Sequence, residues 1–140
     1  MLFPKKTKYR KWQTGRKSKR KLNKPAARGV SVAFGSFGLK AMTQARVTSN
    51  QIESARRAMT RYAGKSAKVW IRIFPDRPIT AKAAEVGMGK GKGDLKGYVS
   101  DVEPGRILFE VDGISESAAH ESLRKAGTKL PLKVKVVGRE

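Results

Sequence analysis

The sequence predicts an α+β fold, in which a mostly antiparallel sheet is packed by two helices, with a basic N-terminal arm and a long Gly/Lys loop. Two segments repeat apolar residues at helical spacing, and several short segments alternate apolar and polar residues as strands do. A chain of 140 residues has room for one modest core. We therefore expect residues 1–29 to form the arm and residues 30–140 a single domain, with an extended loop at 75–97.

The arm is defined by its charge. The chain carries 32 Lys and Arg residues against 11 Asp and Glu residues, a formal net charge of +21, and residues 1–52 contain fourteen of the cations and no acid. Residues 1–28 have too little apolar periodicity to offset chain entropy, so alone they should be disordered. A solubilising tail is one interpretation. We prefer an arm that folds onto phosphates, because Tyr9 and Trp12 stand among the lysines and can stack on unpaired bases.

The domain is expected to begin with a short strand, a turn at 35–38 and a second strand over 39–43. A helix then starts at Thr48 or Ser49, where T-x-x-Q fits a capping box, and ends at Gly64. Three arginines lie off its apolar face, and like charges four residues apart repel, which favours a phosphate partner. The predicted apolar face consists of Ile52, Ala55, Met59, Tyr62 and Ala63, and the arginines are Arg56, Arg57 and Arg61.

The segment 68–74, KVWIRIF, predicts a strand that Pro75 and Pro78 should end. Both of its faces are largely apolar, which is typical of a central strand. One face holds Val69, Ile71 and Ile73, and the other holds Trp70, Arg72 and Phe74.

The C-terminal part is predicted to contain three more strands and a second helix. Strands over 98–102 and 107–111 flank a type II turn at 103–106, with Pro and Gly at its central positions. Ser115 should cap a helix that ends at Gly127 and buries Ala118, Ala119, Leu123 and Ala126. A last strand over 132–136 should expose its lysines.

The segment 86–94, VGMGKGKGD, resembles a nucleotide-binding loop but lacks its chemistry. No Ser or Thr follows a Gly-Lys pair there, and the G-x-G-x-x-G spacing fails at Lys92 and at Asp94. The triplet at 64–66 ends correctly, but Met59 stands where the first glycine is needed. A flexible tether is the plain alternative. We prefer contact with a sugar-phosphate surface, because glycine lets the backbone approach closely and Lys90 and Lys92 would point the same way in an extended loop.

Catalytic and membrane functions find no support in the sequence. There is no cysteine, His120 is the single histidine, and nothing assembles a nucleophile, a base and an orienting group. We therefore predict no enzyme activity, no cofactor and no metal site. No apolar run approaches the ~20 residues of a membrane span, and no segment pairs a long apolar face with a basic one. A targeting segment is a further alternative for the arm. Its basic, acid-free composition fits a transit peptide, but its low serine content does not.

Six segments occur in an order that resembles the bacterial-type large-subunit ribosomal protein L-sixteen family: MLFPKKTKYRK, FGSFGLKA, QIESARRAMTR, VWIRIFPDRPIT, MGKGKG and EPGRILFEVDG. The resemblance runs from Met1 to about Val137. It implies a structural constituent of the large ribosomal subunit that binds 23S-type rRNA and supports late subunit assembly. It also implies contact with tRNA near the aminoacyl site and the peptidyl transferase centre.

The same resemblance implies neighbouring ribosomal proteins as partners, no membrane, no homo-oligomer, and a place in the cytoplasmic ribosome or in a mitochondrial or plastid one. A free architectural nucleic-acid-binding protein is the alternative. In this sequence Gly87 stands where the family usually has Arg, and Ala83 where it has Pro.

Two sets of residues are predicted to bind RNA. The rRNA-binding set is Lys5, Lys6, Lys8, Arg10, Lys11, Trp12, Arg16, Lys17, Lys19, Arg20, Lys21, Arg56, Arg57, Arg61 and Arg72. The tRNA-facing loop set is Lys82, Met88, Gly89, Lys90, Gly91 and Lys92.

Overall fold

A computed structural model describes all 140 residues and confirms the α+β class. The strands are β1 (Phe37–Ala41), β2 (Ala45–Thr48), β3 (Lys68–Ile71), β4 (Arg77–Ala81), β5 (Asp94–Val102), β6 (Ile107–Asp112) and β7 (Val134–Gly138). The helices are α1 (Lys19–Leu22), α2 (Ser49–Ala63) and α3 (Glu116–Gly127).

The strands form two antiparallel sheets. The larger sheet has the order β3-β6-β1-β7, and the smaller has the order β2-β5-β4. Helix α3 packs on β1, β6 and β7 of the larger sheet. Helix α2 packs on α3 and reaches strands of both sheets, so it joins them around one core.

Strand β6 runs through the centre of the fold, and its residues 107–111 are all buried. The helices cover one of its faces, and the segment 31–36 covers the other, where the side chains of Val32 and Ile107 both approach Gly38. The buried apolar core is made of Leu39, Ala41, Val47, Ile52, Ala55, Met59, Ile73, Val102, Leu108, Phe109, Val111, Ala119, Leu123, Ala126 and Leu130.

Both predicted helices are confirmed at their ends. The Thr48 hydroxyl accepts a hydrogen bond from the Gln51 amide at 3.3 Å, and the Gln51 side chain accepts one from the Thr48 amide at 2.9 Å. This is the capping box. Ser115 caps α3, which ends at Gly127. Tyr62 was expected on the buried face of α2 but is exposed, with the Lys125 ammonium 4.1 Å from its ring centroid.

The turn between β5 and β6 is also confirmed. Gly105 has φ +95°, as the third position of a type II turn requires, and the Arg106 amide donates to the Glu103 carbonyl at 3.3 Å. No strand precedes Gly35, and β1 already begins at Phe37, inside the expected turn. The last strand lies two residues later than predicted.

Strand β3 is an edge strand, so the prediction of a central strand was wrong. Its faces are covered as the pattern indicated, with Val69 and Ile71 on the core and Trp70 under Phe34. Apolar character on both faces shows that both faces are covered. It carries no information about lateral neighbours.

The predicted loop at 75–97 is shorter than expected, because it contains β4 and the first residues of β5. Its irregular part is 82–93. Pro78 lies within β4, where a residue without an N–H is tolerated because β4 is at the edge of its sheet. No strand was predicted for the four residues of β2, which lie between the second predicted strand and α2.

Candidate nucleic-acid interface

The arm touches the domain at both of its ends. Leu2 packs against the core, and its carbonyl accepts a hydrogen bond from the Ser49 hydroxyl at 2.8 Å. At the other end, the Ala26 amide donates to the Pro104 carbonyl at 2.8 Å. Between these points the arm has a single four-residue helix, α1, and its cations are exposed apart from the half-buried Lys11.

The middle of the arm lies against the smaller sheet. The Arg77 guanidinium is 5.8 Å from the ring centroid of Trp12, and the Lys92 ammonium donates to the Trp12 carbonyl. Asp101 orients Arg77 from the smaller sheet. Its carboxylate accepts hydrogen bonds from Arg46 at 3.2 Å and from Arg77 at 2.9 Å. The arm, the smaller sheet and the base of the loop therefore meet at one place.

The loop 82–93 exposes every residue from 82 to 92. Gly89, Lys90 and Gly91 have φ values of +95°, +58° and +95°, so three consecutive residues adopt the left-handed region. The tip therefore turns sharply, and the expectation of an extended loop was wrong there. The Lys82 ammonium donates to the Gly89 carbonyl across the loop. Met88, beside the turn, is fully exposed.

The arm and the loop share an excess of unpaired positive charge. No cation in residues 1–45 lies within 4.0 Å of a carboxylate, and neither does Lys82, Lys90 or Lys92. The salt bridges of the chain all belong to other residues, namely Arg46, Arg56, Arg57, Arg72, Arg77, His120 and Arg124. The fold thus leaves the predicted cations of the arm and the loop without an acidic partner.

Two of the three helix arginines share an acidic neighbour. Glu53 accepts from Arg56 at 2.5 and 3.0 Å and from Arg57 at 3.2 Å. Hydrogen bonding and charge from Arg56, followed by Arg57, lower the pKa of Glu53 to about 2. The repulsion between arginines that favoured a phosphate partner is therefore partly relieved inside the helix. Arg61 makes no salt bridge.

Arg72 is occupied within the fold. Its Nη1 lies 2.5 Å from Glu110 Oε1 and donates to the Ser31 carbonyl at 3.2 Å, and its side chain is 19% exposed. Glu110 is fully buried. Its carboxylate also accepts from the backbone amides of Ala33 at 3.0 Å, Phe34 at 2.6 Å and Gly35 at 2.8 Å. Arg72 thus neutralises a buried carboxylate, and this contact limits its use for phosphate.

Glu110 remains ionised despite its burial. Burial alone would raise its pKa, but the hydrogen bonds from Ala33, Gly35, Arg72 and Phe34 together bring the pKa below its ordinary value. The carboxylate, Arg72 and residues 31–35 form a unit that we call the Glu110 clamp. The clamp fixes the junction between the arm and β1.

The remaining titratable groups form no catalytic or metal site. His120 is half-exposed, sits edge-on to Phe37 at 5.4 Å and lies 3.8 Å from Glu116. No three His, Cys, Asp or Glu side chains come close enough to hold a metal ion.

No helix of the fold combines the length and the apolar character that crossing a membrane requires.

The sequence analysis did not identify three residues. These are Arg46 and Arg77, where the arm meets the smaller sheet, and the exposed Phe34. Arg46 lies in β2 and Arg77 in β4, the two strands that were not predicted. Alternation over A-R-V-T and R-P-I-T-A could have indicated them. Phe34 carried no signal, because a lone exposed aromatic is indistinguishable in sequence from a buried one.

Comparisons with known proteins agree on one family. A family model described as ribosomal protein L16p/L10e matches residues 4–137. Three relatives named large ribosomal subunit protein uL16, from three strains of Vibrio cholerae serotype O1, are each 50% identical over 140 residues. Each alignment covers 100% of this chain and 98% of the relative.

Proposed function

The chain belongs to the ribosomal protein L16p/L10e family, and from that premise we propose that it positions ribosomal and transfer RNA within the large ribosomal subunit. It is a structural constituent of that subunit and not an enzyme. Ribosomal RNA and neighbouring ribosomal proteins are its partners.

The observation that carries the RNA proposal is the set of unpaired cations in the arm and the loop. Lys and Arg side chains without a carboxylate within 4.0 Å are free to replace the counterions of phosphates. A chain with a net charge of +21 also repels itself, and a polyanion relieves that repulsion. The mechanism is charge neutralisation on a shaped surface, without covalent chemistry.

The loop is the part that we assign to tRNA. Its tip turns through Gly89, Lys90 and Gly91, away from any packing partner, and a Cβ on either glycine would meet nothing within 4 Å. Such a tip can approach a sugar-phosphate surface closely. We propose that it faces tRNA near the aminoacyl site and the peptidyl transferase centre, and that its contacts contribute to late subunit assembly.

The arm is the part that we assign to rRNA. Its test is the salt dependence of binding to a transcribed fragment of the organism's own large-subunit rRNA. Each phosphate contact contributes ~0.7–0.9 to the slope of log affinity against log salt. Changing Lys17, Lys19, Arg20 and Lys21 together to Gln should reduce that slope clearly.

The matched control changes four exposed lysines outside the arm and the loop to Gln, namely Lys65, Lys129, Lys133 and Lys135. If both variants reduced the slope equally, or neither did, the assignment of the arm to rRNA would be wrong.

The loop is tested by Lys90→Glu combined with Lys92→Glu in cells that depend on the variant chain. We expect slowed tRNA accommodation or accumulation of incomplete large subunits, with an unchanged thermal unfolding midpoint. Lys133→Glu combined with Lys135→Glu has the same charge change and the same spacing at exposed positions, and should have a smaller effect. Normal translation and normal subunit profiles in the loop variant would contradict the assignment.

A free architectural nucleic-acid-binding protein is the alternative, and family membership favours the ribosomal function over it. The two functions predict different sedimentation of the chain. A ribosomal constituent should remain with large subunits after a high-salt wash, whereas a free nucleic-acid-binding protein would be released.

A further inference from the structure

An aromatic surface lies on the larger sheet, outside both the arm and the loop. The Phe34 ring is 56% exposed and stacks on Trp70 with centroids 6.3 Å apart and planes 20° apart. The Arg72 guanidinium is 5.1 Å from the centroid of Phe34. Trp70 lies in β3 and Arg72 directly follows that strand, and both lie against Phe34. More than half of Phe34 remains exposed to solvent.

The backbone on either side of Phe34 is held in place by hydrogen bonds. The Phe34 amide donates to the fully buried Glu110 carboxylate at 2.6 Å, and the amides on either side of it donate to the same carboxylate. Gly35 brings the segment so close to β6 that a Cβ there would lie 2.7 Å from the Val111 carbonyl oxygen. The clamp thus fixes an aromatic side chain of which more than half stays in water unless a ligand covers it.

Two further cations lie on the larger sheet near this segment. Lys68 lies two residues before Trp70 and on the same side of β3. The Arg139 amide donates to the carbonyl of Ser36, two residues after Phe34, at 2.9 Å. Both side chains lie near Asp112, whose pKa is lowered first by the Ser36 hydroxyl and also by these two cations. The rim is therefore predominantly positive, which suits phosphate better than an apolar peptide.

We propose that Phe34 is a stacking platform for an unpaired RNA base, with Lys68 and Arg139, both near Asp112, placed for adjoining phosphates. The proposal rests on the proposed function only in taking RNA as the ligand. Base–aromatic stacking accepts any base, so the platform would select unpaired nucleotides and not a sequence. Trp70 and Arg72 act through Phe34 as positioning residues.

The test uses the full chain and a short oligouridine with one internal 2-aminopurine, whose fluorescence falls when the base stacks. All proteins carry Trp12→Leu, so that the exposed indole of the arm does not contribute to the signal. The parent should bind and quench the probe. Phe34→Leu, which keeps an apolar side chain but no ring, should bind ~5- to 100-fold more weakly and lose the quenching. Phe34→Tyr should restore both.

Tyr62→Leu is the matched control, since Tyr62 is an exposed aromatic with a cation at 4.1 Å on the helical layer. It should leave the quenching unchanged. If Phe34→Leu unfolds the chain, Lys68→Gln combined with Arg139→Gln gives the second readout. That variant should lower the salt slope by ~1.4–1.8 for two phosphate contacts.

Three outcomes would overturn the platform. Equal binding and quenching by the parent and Phe34→Leu would do so while leaving the RNA function intact, because salt-dependent binding would persist. Unchanged RNA binding with poor incorporation of Phe34→Leu into large subunits would show that the surface contacts a protein instead. A parent chain that bound no RNA at all would remove the platform together with the proposed function.

Discussion

The Glu110 clamp and the loop 82–93 are both built from glycines and cations, but they use them in opposite ways. In the clamp, Arg72 neutralises a fully buried carboxylate, and Gly35 allows two backbones to approach within contact distance. In the loop, the lysines have no carboxylate within 4.0 Å, and a Cβ on Gly87 would meet nothing within 4 Å. The clamp restricts the chain, whereas the loop leaves its groups accessible.

The difference shows how a chain with 32 cations and 11 acids divides its charges. A cation is neutralised within the fold only where a carboxylate meets it, and there are too few carboxylates for most cations. The fold uses its buried acid at the junction between the arm and β1, so removing one partner is costly there, and binding capacity remains in the arm and the loop. Mutations in the two regions should therefore affect different measurements.

The largest effect on stability is expected from Glu110→Gln. Each carboxylate oxygen of Glu110 accepts two hydrogen bonds, and in glutamine one oxygen becomes an NH₂ group that faces two donors. Arg72 would also lose its counter-charge. Breaking a buried pair from one side costs ~3–5 kcal/mol, measurable as the free energy of unfolding in urea.

The control for this variant is Asp101→Asn, which removes a 34% exposed carboxylate that pairs with Arg46, 43% exposed, and with Arg77, 13% exposed. It should cost clearly less than Glu110→Gln, because water can solvate a partly exposed carboxylate and its partners. Similar losses from both variants would mean that the clamp does not differ energetically from a surface ion pair.

The effect of Glu110→Gln should depend on pH. The pKa of Glu110 is lower in the folded chain than its ordinary value of 4.5, so its stabilising contribution is complete above about that pH. The contribution is lost as the pH falls through the folded pKa. The difference in unfolding free energy between the parent and Glu110→Gln should therefore shrink below pH 4.5. A difference that stayed constant down to strongly acidic pH would contradict an ionised clamp.

A smaller effect is expected when alanine replaces one glycine from each region. Gly35→Ala places a Cβ 2.7 Å from the Val111 carbonyl oxygen, which is backbone and cannot rotate away. Overpacking of this kind costs ~1–3 kcal/mol. Gly87→Ala meets nothing within 4 Å and should change stability by no more than ~0.5 kcal/mol. Thermal or urea unfolding measures the two free energies of unfolding. A larger loss for Gly35→Ala than for Gly87→Ala shows that the first glycine is required by packing and the second is not.

The smallest change in stability is expected for Gly87→Arg, which adds a cation at an exposed position of the loop. Stability should change by no more than ~0.5 kcal/mol, since the site is open. The salt slope of RNA binding should rise by ~0.7–0.9 if the new cation reaches a phosphate. Gly87→Gln is the uncharged control. Equal slopes for the two variants would show that a cation at position 87 does not reach RNA.

Sequence reasoning worked where the signal is local. The capping box from Thr48, the type II turn at 103–106 and the end of α3 at Gly127 depend on residues within a few positions of one another. The charge asymmetry that indicates an RNA surface is also visible by counting. The family resemblance agreed with the match over residues 4–137.

Reasoning from the sequence failed where distant segments decide the outcome. The lateral position of β3 depends on β6, which is more than thirty residues away, and the strand character of β4 depends on its pairing with β5. The amino-acid sequence of a strand does not identify its pairing partner, because the hydrogen bonds between strands join backbone groups that all residues share.

By itself, then, the sequence determined the fold class, the helices with their ends, and the cationic arm and loop, since propensity, capping and charge are properties of neighbouring residues. Only the tertiary structure decided which cations remain free. It paired Arg72 with Glu110, 38 residues apart, and turned the Phe34 ring toward solvent through amides that lie 75–77 residues from their acceptor. The physical reason is that burial and counter-charge come from segments brought together by folding, so a residue's availability for RNA is settled only when the core is complete.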